Sequence, residues 1–119
     1  MKWYMTKIVY QIICGEGYHT PQFDEQLRLI HAENNLHAFH KARNIGKQEE
    51  DCFLNYVNKP VHWKFIDVAE IHLLDELTDG AEVYSKICEE ENEDIYIRSI
   101  RLKAAHLSES GSYQSTGLN

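Results

Sequence analysis

Apolar and polar residues alternate with a period of two along residues 2–14. Tyr4, Thr6, Ile8, Tyr10, Ile12 and Cys14 share one face, and Trp3, Met5, Lys7, Val9 and Ile13 the other. Side chains of a strand alternate between faces, and aromatic and β-branched residues suit a pleated, half-buried surface. Gly15-Glu16-Gly17 breaks the pattern. It resumes over residues 23–32, where Phe23, Leu27 and Leu29 alternate with Asp24, Gln26 and Arg28. The two runs read as strands joined by an irregular hairpin. The longest apolar run is residues 61–74, VHWKFIDVAEIHLL. Fully extended it spans ~46 Å, against ~17–20 Å for a common strand. A bulge or bend near Asp67 follows, since one inserted residue brings Ile66 and Val68 onto the Trp63 face. This is the strand on which the other elements are expected to pack. After the turn signal Asp79-Gly80, residues 81–88 alternate again and predict a fourth strand, hairpinned with the third.

Two stretches change to a helical period. Asn34 or Asn35 offers an N-cap for a helix to about Ile45, with Leu36, Ala38, Phe39, Ala42 and Ile45 directed inward. The alanines let the helix sit close to a sheet, and Gly46 is placed for a left-handed C-cap. From Asp94 two patterns overlap: Ile95 and Ile97 suit a strand, while Ile97, Ile100, Ala104 and Leu107 keep a helical spacing, and the helix is the favoured reading. Acidic residues at the start and Arg101, Lys103 and His106 later suit the helix dipole. Residues 47–60 read as a polar connection pinned by Phe53, Leu54, Tyr56 and Val57. The element order predicts an α+β fold, with a mainly antiparallel sheet of about four strands in β-β-α-β-β order. One helix packs on it, and a C-terminal helix follows. Residues 1–107 are expected to form one domain, and residues 108–119 a polar tail.

Charge narrows the partners. The chain of 119 residues carries a formal charge of −7, from 19 acidic and 12 basic side chains. Nucleic-acid binders present basic stripes that displace counterions, whereas the clusters here are acidic: Glu49-Glu50-Asp51 and Glu89-Glu90-Glu91, continuing to Glu93-Asp94. Neither nucleic acid nor a membrane is an expected partner, because no run reaches the ~18 apolar residues of a span. Cys14, Cys52 and Cys88 are odd in number and widely spaced, which suits a reducing cytoplasm.

Candidate chemistry is sparse. Gly15-x-Gly17 lacks the rest of a dinucleotide fingerprint, no Gly-x-Ser-x-Gly elbow is present, and no cysteine opens a helix. His37 and His40 share a helix face without a third ligand at a usual spacing, so neither metal nor cofactor is expected. Lys64 on the third strand, with Glu82 and Tyr84 on the expected fourth, forms the most suggestive polar set. An ion pair or hydrogen-bonded cluster is the favoured reading of it.

Several fragments occur together in order: Trp3-Tyr4 with Lys7, Asp24-Glu25, Ala32-Glu33 leading to Ala38 and Lys41-Ala42, Val61-x-Trp63-Lys64-Phe65, and Asp79-Gly80-x-Glu82-Val83-Tyr84-Ser85. They resemble the bacterial domain of unknown function family 4288 over roughly residues 2–86. The resemblance implies a compact α+β domain in a bacterium and supplies no activity, cofactor or catalytic residue. Two classes of function remain. The favoured one is a small non-enzymatic binding or accessory domain whose acidic surface meets a basic protein partner, with electrostatic steering of the encounter. The alternative is a small hydrolase or ligand-binding protein with a pocket near Lys64, Glu82 and Tyr84. Apolar residues on both faces of the first and third strands call for a second layer, and a homodimer is the expected solution.

Overall fold

A computed structural model describes the backbone of residues 1–118 and the side chains of residues 1–109. The chain forms two compact units, Met1–Ser85 and Lys86–Asn119. The first is a four-stranded antiparallel sheet with one helix, built from β1 (Lys2–Cys14), β2 (Gln22–Ala32), α1 (Asn35–Gln48), β3 (Asp51–Leu54) and β4 (Pro60–Leu74). The strand order is β2-β1-β4-β3. The second unit carries α2 (Glu93–Leu118), as the helical spacing from Asp94 predicts. The expected tail of residues 108–119 falls on the end of α2, and Asn119 lies outside the described residues. The α+β class and the β-β-α-β-β-α order agree with the sequence pattern.

The period-two pattern of β1 separates two faces. Tyr4, Thr6, Ile8 and Tyr10 are all at most 3% exposed and point to the helix side, where Ile30, Ala32, Ala38 and Ala42 complete the core. β1 and β4 share the centre of the sheet, and the deepest side chains are those of β1. β4 keeps its length by bulging twice. Lys7 faces Glu70 and Ile8 faces Val68, leaving Ala69 extra; Val9 faces Asp67 and Tyr10 faces Phe65, leaving Ile66 extra. The two insertions flank Asp67 and re-aim the strand, as an overlong central strand requires. Trp63, Phe65, Val68 and Ile71 therefore all reach the helix-side core. Ile66, expected on that face, is pushed out to 45% exposure.

α1 begins where Asn34 accepts a hydrogen bond from the His37 N–H at 2.8 Å. His37 returns the contact, accepting the Glu33 N–H on Nδ1 at 3.0 Å. The buried row is Ala38, Ala42 and Gly46, at four-residue steps, and Leu36 in the first turn stays exposed. Gly46 is not the C-cap expected of it. It lies inside the helix, where the Phe65 ring occupies the space a Cβ would need, and its carbonyl accepts the buried Tyr10 hydroxyl at 2.7 Å. Glu49 caps the helix instead, donating its N–H to the Ile45 carbonyl.

The fourth strand also differs from expectation. Residues 81–88 form no strand. The edge position beside β4 is taken by β3, four residues of the connection expected to be a loop, which pair with 60–63. β3 and β4 close through a turn in which Asn55 accepts from the N–H groups of Val57 and Lys59. Asn58 there adopts a φ of 61°, a left-handed value that asparagine tolerates.

Candidate functional site

On the face of the sheet opposite α1, the central strand β1 sets one charged side chain among Trp3, Met5, Val9, Gln11 and Ile13, that of Lys7. Its neighbours in register are Leu27 on β2 and Glu70 on β4. Lys7 Nζ lies 2.7 Å from Glu70 and 3.2 Å from Glu25. Glu70 also accepts the Tyr84 hydroxyl at 3.2 Å and meets His72 Nε2 at 3.1 Å. The His72 and Tyr84 rings meet edge to face at 5.0 Å, and Lys7 Nζ sits 5.9 Å from the Tyr84 ring centre.

Hydrogen bonding from Lys7, helped by His72 and Tyr84, pulls the Glu70 carboxyl down to about 2. The same carboxylates raise the Lys7 ammonium above its ordinary value. A carboxylate so stabilised is a poor base, and an ammonium so stabilised is no nucleophile. The cluster has the geometry of a latch: through Tyr84 it ties the segment that follows β4 back to Glu70.

An acid-rimmed apolar shelf lies at the end of the sheet where β1 starts and β4 stops. Met1, Lys2, Trp3, Leu73, Leu74, Asp75 and Leu77 line an open hollow of about 410 Å³. Leu73 and Asp75 continue into a second hollow of about 260 Å³ with Glu76, Ala81 and Glu82. Trp3 is 39%, Leu73 44% and Leu77 56% exposed, and Trp3 is braced by stacking on His31 at 4.4 Å. Asp75, Glu76, Asp79 and Glu82 are exposed, and no hydrogen bond or ion pair engages their side chains among the described residues. Asp75, Glu76 and Glu82 thus line the two hollows beside Trp3, Leu73 and Leu77, with Lys2 at the β1 side.

The three residues singled out in the sequence are placed differently from one another. Tyr84 is the latch and Glu82 is on the rim of the shelf. Lys64 stands opposite Gln11, four residues along β1 from the Lys7 level, ~13 Å away at the usual strand rise. Its partners in register are not Glu82 and Tyr84, because residues 81–88 do not pair with β4. The sequence reading missed Lys7 and Glu70 as a pair. The available signal was Lys7 itself, a lone charge in the row Trp3, Met5, Val9 of a central strand, which demands a counter-charge on a neighbour.

Elsewhere polar groups are consumed by structure. Arg28 makes a bidentate pair with Glu49 at 2.7 and 2.8 Å and bonds to Gln26. Gln26 and the Trp63 indole N–H both donate to Asp24. Arg43 pairs with Asp67 across the bulge at 2.8 Å, and that hydrogen bond, with one from the Val68 N–H, holds the Asp67 carboxyl below its ordinary range. Among the described residues, no three His, Cys, Asp or Glu side chains gather where they could hold a metal ion. No helix among them is long and apolar enough to cross a membrane.

A family model described as a domain of unknown function, DUF4288, matches residues 3–85. That span coincides with the first compact unit almost to the residue. No curated protein and no solved structure matches the chain.

Proposed function

The chain belongs to the DUF4288 family, and we propose that it is a non-enzymatic binding domain whose acid-rimmed shelf receives a basic protein segment carrying a large apolar side chain. The observation that supports this reading is the juxtaposition of exposed Trp3, Leu73 and Leu77 with Asp75, Glu76 and Glu82, whose carboxylates are not ion-paired among the described residues. An apolar centre ringed by one sign of charge is the anatomy of a steered interface: the aromatic and leucine groups supply burial, and the rim speeds encounter and rejects acidic partners. Catalysis is disfavoured because Tyr84 and Glu70 are engaged with each other and with Lys7. The reading includes a cytoplasmic setting, supported by three free cysteines, two of them exposed.

Selection of displayed random peptides on the immobilised domain tests it. The expected winners carry Lys or Arg flanking a large apolar residue, bind less tightly as salt rises, and lose binding to the Asp75→Asn/Glu76→Gln/Glu82→Gln variant. Enrichment of acidic or uncharged peptides, or undiminished binding to that variant, would overturn it.

A further inference from the structure

A different surface, none of whose residues lines the shelf, carries a second inference. We propose that the outer edge of β2 pairs antiparallel with β2 of a second copy of this chain, about a two-fold axis at Leu27, joining two sheets into one of eight strands.

β2 is an edge strand of 11 residues, and among the described residues no backbone group hydrogen-bonds to its outer side. An edge this long is normally blunted by proline, charged side chains, a bulge or a covering element. Residues 22–32 contain no proline or lysine, the register with β1 is unbroken and α1 covers only a face. The charges present, Asp24, Glu25 and Arg28, are already engaged within the chain by Gln26 and Trp63, Lys7 and Glu49. The outward groups can be identified. The Arg28 carbonyl turns toward β1, where it accepts the Thr6 hydroxyl, and the His31 carbonyl is reached from outside by Lys41. The N–H and C=O of one residue point to the same side, and successive residues alternate. Phe23, Glu25, Leu27, Leu29 and His31 therefore carry the free groups.

The strand's own sequence is complementary to itself in the register that uses its full length. With Leu27 facing Leu27, Glu25 faces Leu29, Gln26 faces Arg28, Asp24 faces Ile30 and Phe23 faces His31. No charged residue meets its like directly, and Asp24 lies diagonal to Arg28 of the other copy, within reach of a long side chain. Each guanidinium is already neutralised by Glu49, which limits repulsion between the two arginines. Lys41 caps the His31 carbonyl, so Glu25, Leu27 and Leu29 form the ladder, with about six hydrogen bonds from three exchanging pairs. Leu27 and Leu29, 57% and 59% exposed, become one four-leucine row on the face opposite α1. A second copy is thus the occupant that supplies both the open edge and the matching side chains.

Light scattering coupled to gel filtration on the full chain should give twice 13.9 kDa at micromolar concentration. A mass near 13.9 kDa would overturn the proposal. Leu27→Lys and Leu27→Glu each place like charges in direct opposition, and each should run as a monomer with unchanged circular dichroism. Mixed, they should form a heterodimer, because only this register sets residue 27 against residue 27. Dimers persisting in both single variants, or a mixture that stays monomeric, would refute the edge or its register. Hydrogen exchange on the unsubstituted protein gives a check without any variant. The Glu25, Leu27 and Leu29 amides should be protected at high concentration and exposed on dilution. Protection independent of concentration would instead mean that another strand, from this chain or elsewhere, lies on the edge.

Discussion

Gly46→Ala sets two physical effects against each other, and the structure decides the sign. In an exposed helix interior the change stabilises, because alanine is favoured over glycine by about 1 kcal/mol. Here the new methyl would fall within the Phe65 ring. That ring cannot easily yield: it packs edge-on against Tyr10 at 5.9 Å, and Tyr10 is 1% exposed and bonded to the Gly46 carbonyl. Forcing a methyl into a filled core costs about 1–3 kcal/mol. Lifting the helix to make room also stretches the Tyr10 hydrogen bond, worth about 0.5–1.5 kcal/mol. The expected net loss is roughly 0.5–3.5 kcal/mol, centred near 2. For a domain of this size the central value lowers Tm by about 8–16 °C. Urea titration followed by Trp fluorescence, with m unchanged, measures it directly. Shortening the obstacle supplies the control: in a Phe65→Leu background, Gly46→Ala should lose much less, giving a coupling above about 0.5 kcal/mol. A Gly46→Ala protein as stable as the parent, or more so, would show that the helix does not lie on Phe65 as described.

Three further outcomes follow from the same geometry. Ile8→Ala, at a position fully buried in the central strand, should cost about 2–5 kcal/mol, whereas Leu27→Ala, measured in monomer by the same titration, should stay within about 0.5 kcal/mol. Tyr84→Phe should leave the global unfolding midpoint nearly unchanged yet speed amide exchange across residues 75–85; slow exchange there would mean that something other than the latch holds the segment. Glu70 has a folded pKa of about 2 against an ordinary 4.5, so its stabilising contribution is complete above about pH 4.5 and is lost as pH falls from 4.5 through 2. Stability of the parent should therefore decline more steeply over that window than that of Glu70→Gln, and parallel profiles would exclude the Lys7 pair as the cause.

Much of the fold was legible in the chain because it is written in local periods. Alternation fixes the two faces of β1, while packing with α1 decides that the face of Tyr4, Ile8 and Tyr10 is the core. Asn34 and the alanines at 38 and 42 specify where a helix starts and which side can approach a sheet. Even the bulging of β4 was implied, since 14 residues with apolar groups on both faces cannot remain one flat strand. What tertiary structure alone decided are the matters that depend on a neighbour distant in sequence. β3 is too short to show a period, and its four residues are strand only because β4 offers them an edge. Residues 81–88 have the period without the edge; Tyr84 meets Glu70 and Lys7 instead. Gly46 carries the local signature of a helix stop, but the space it leaves is claimed by Phe65, so the helix runs on to Gln48. The shelf belongs to the same class: its apolar floor comes from residues 1–3 and 73–77, its rim from 75–82, and only the pairing of β1 with β4 brings the two ends together.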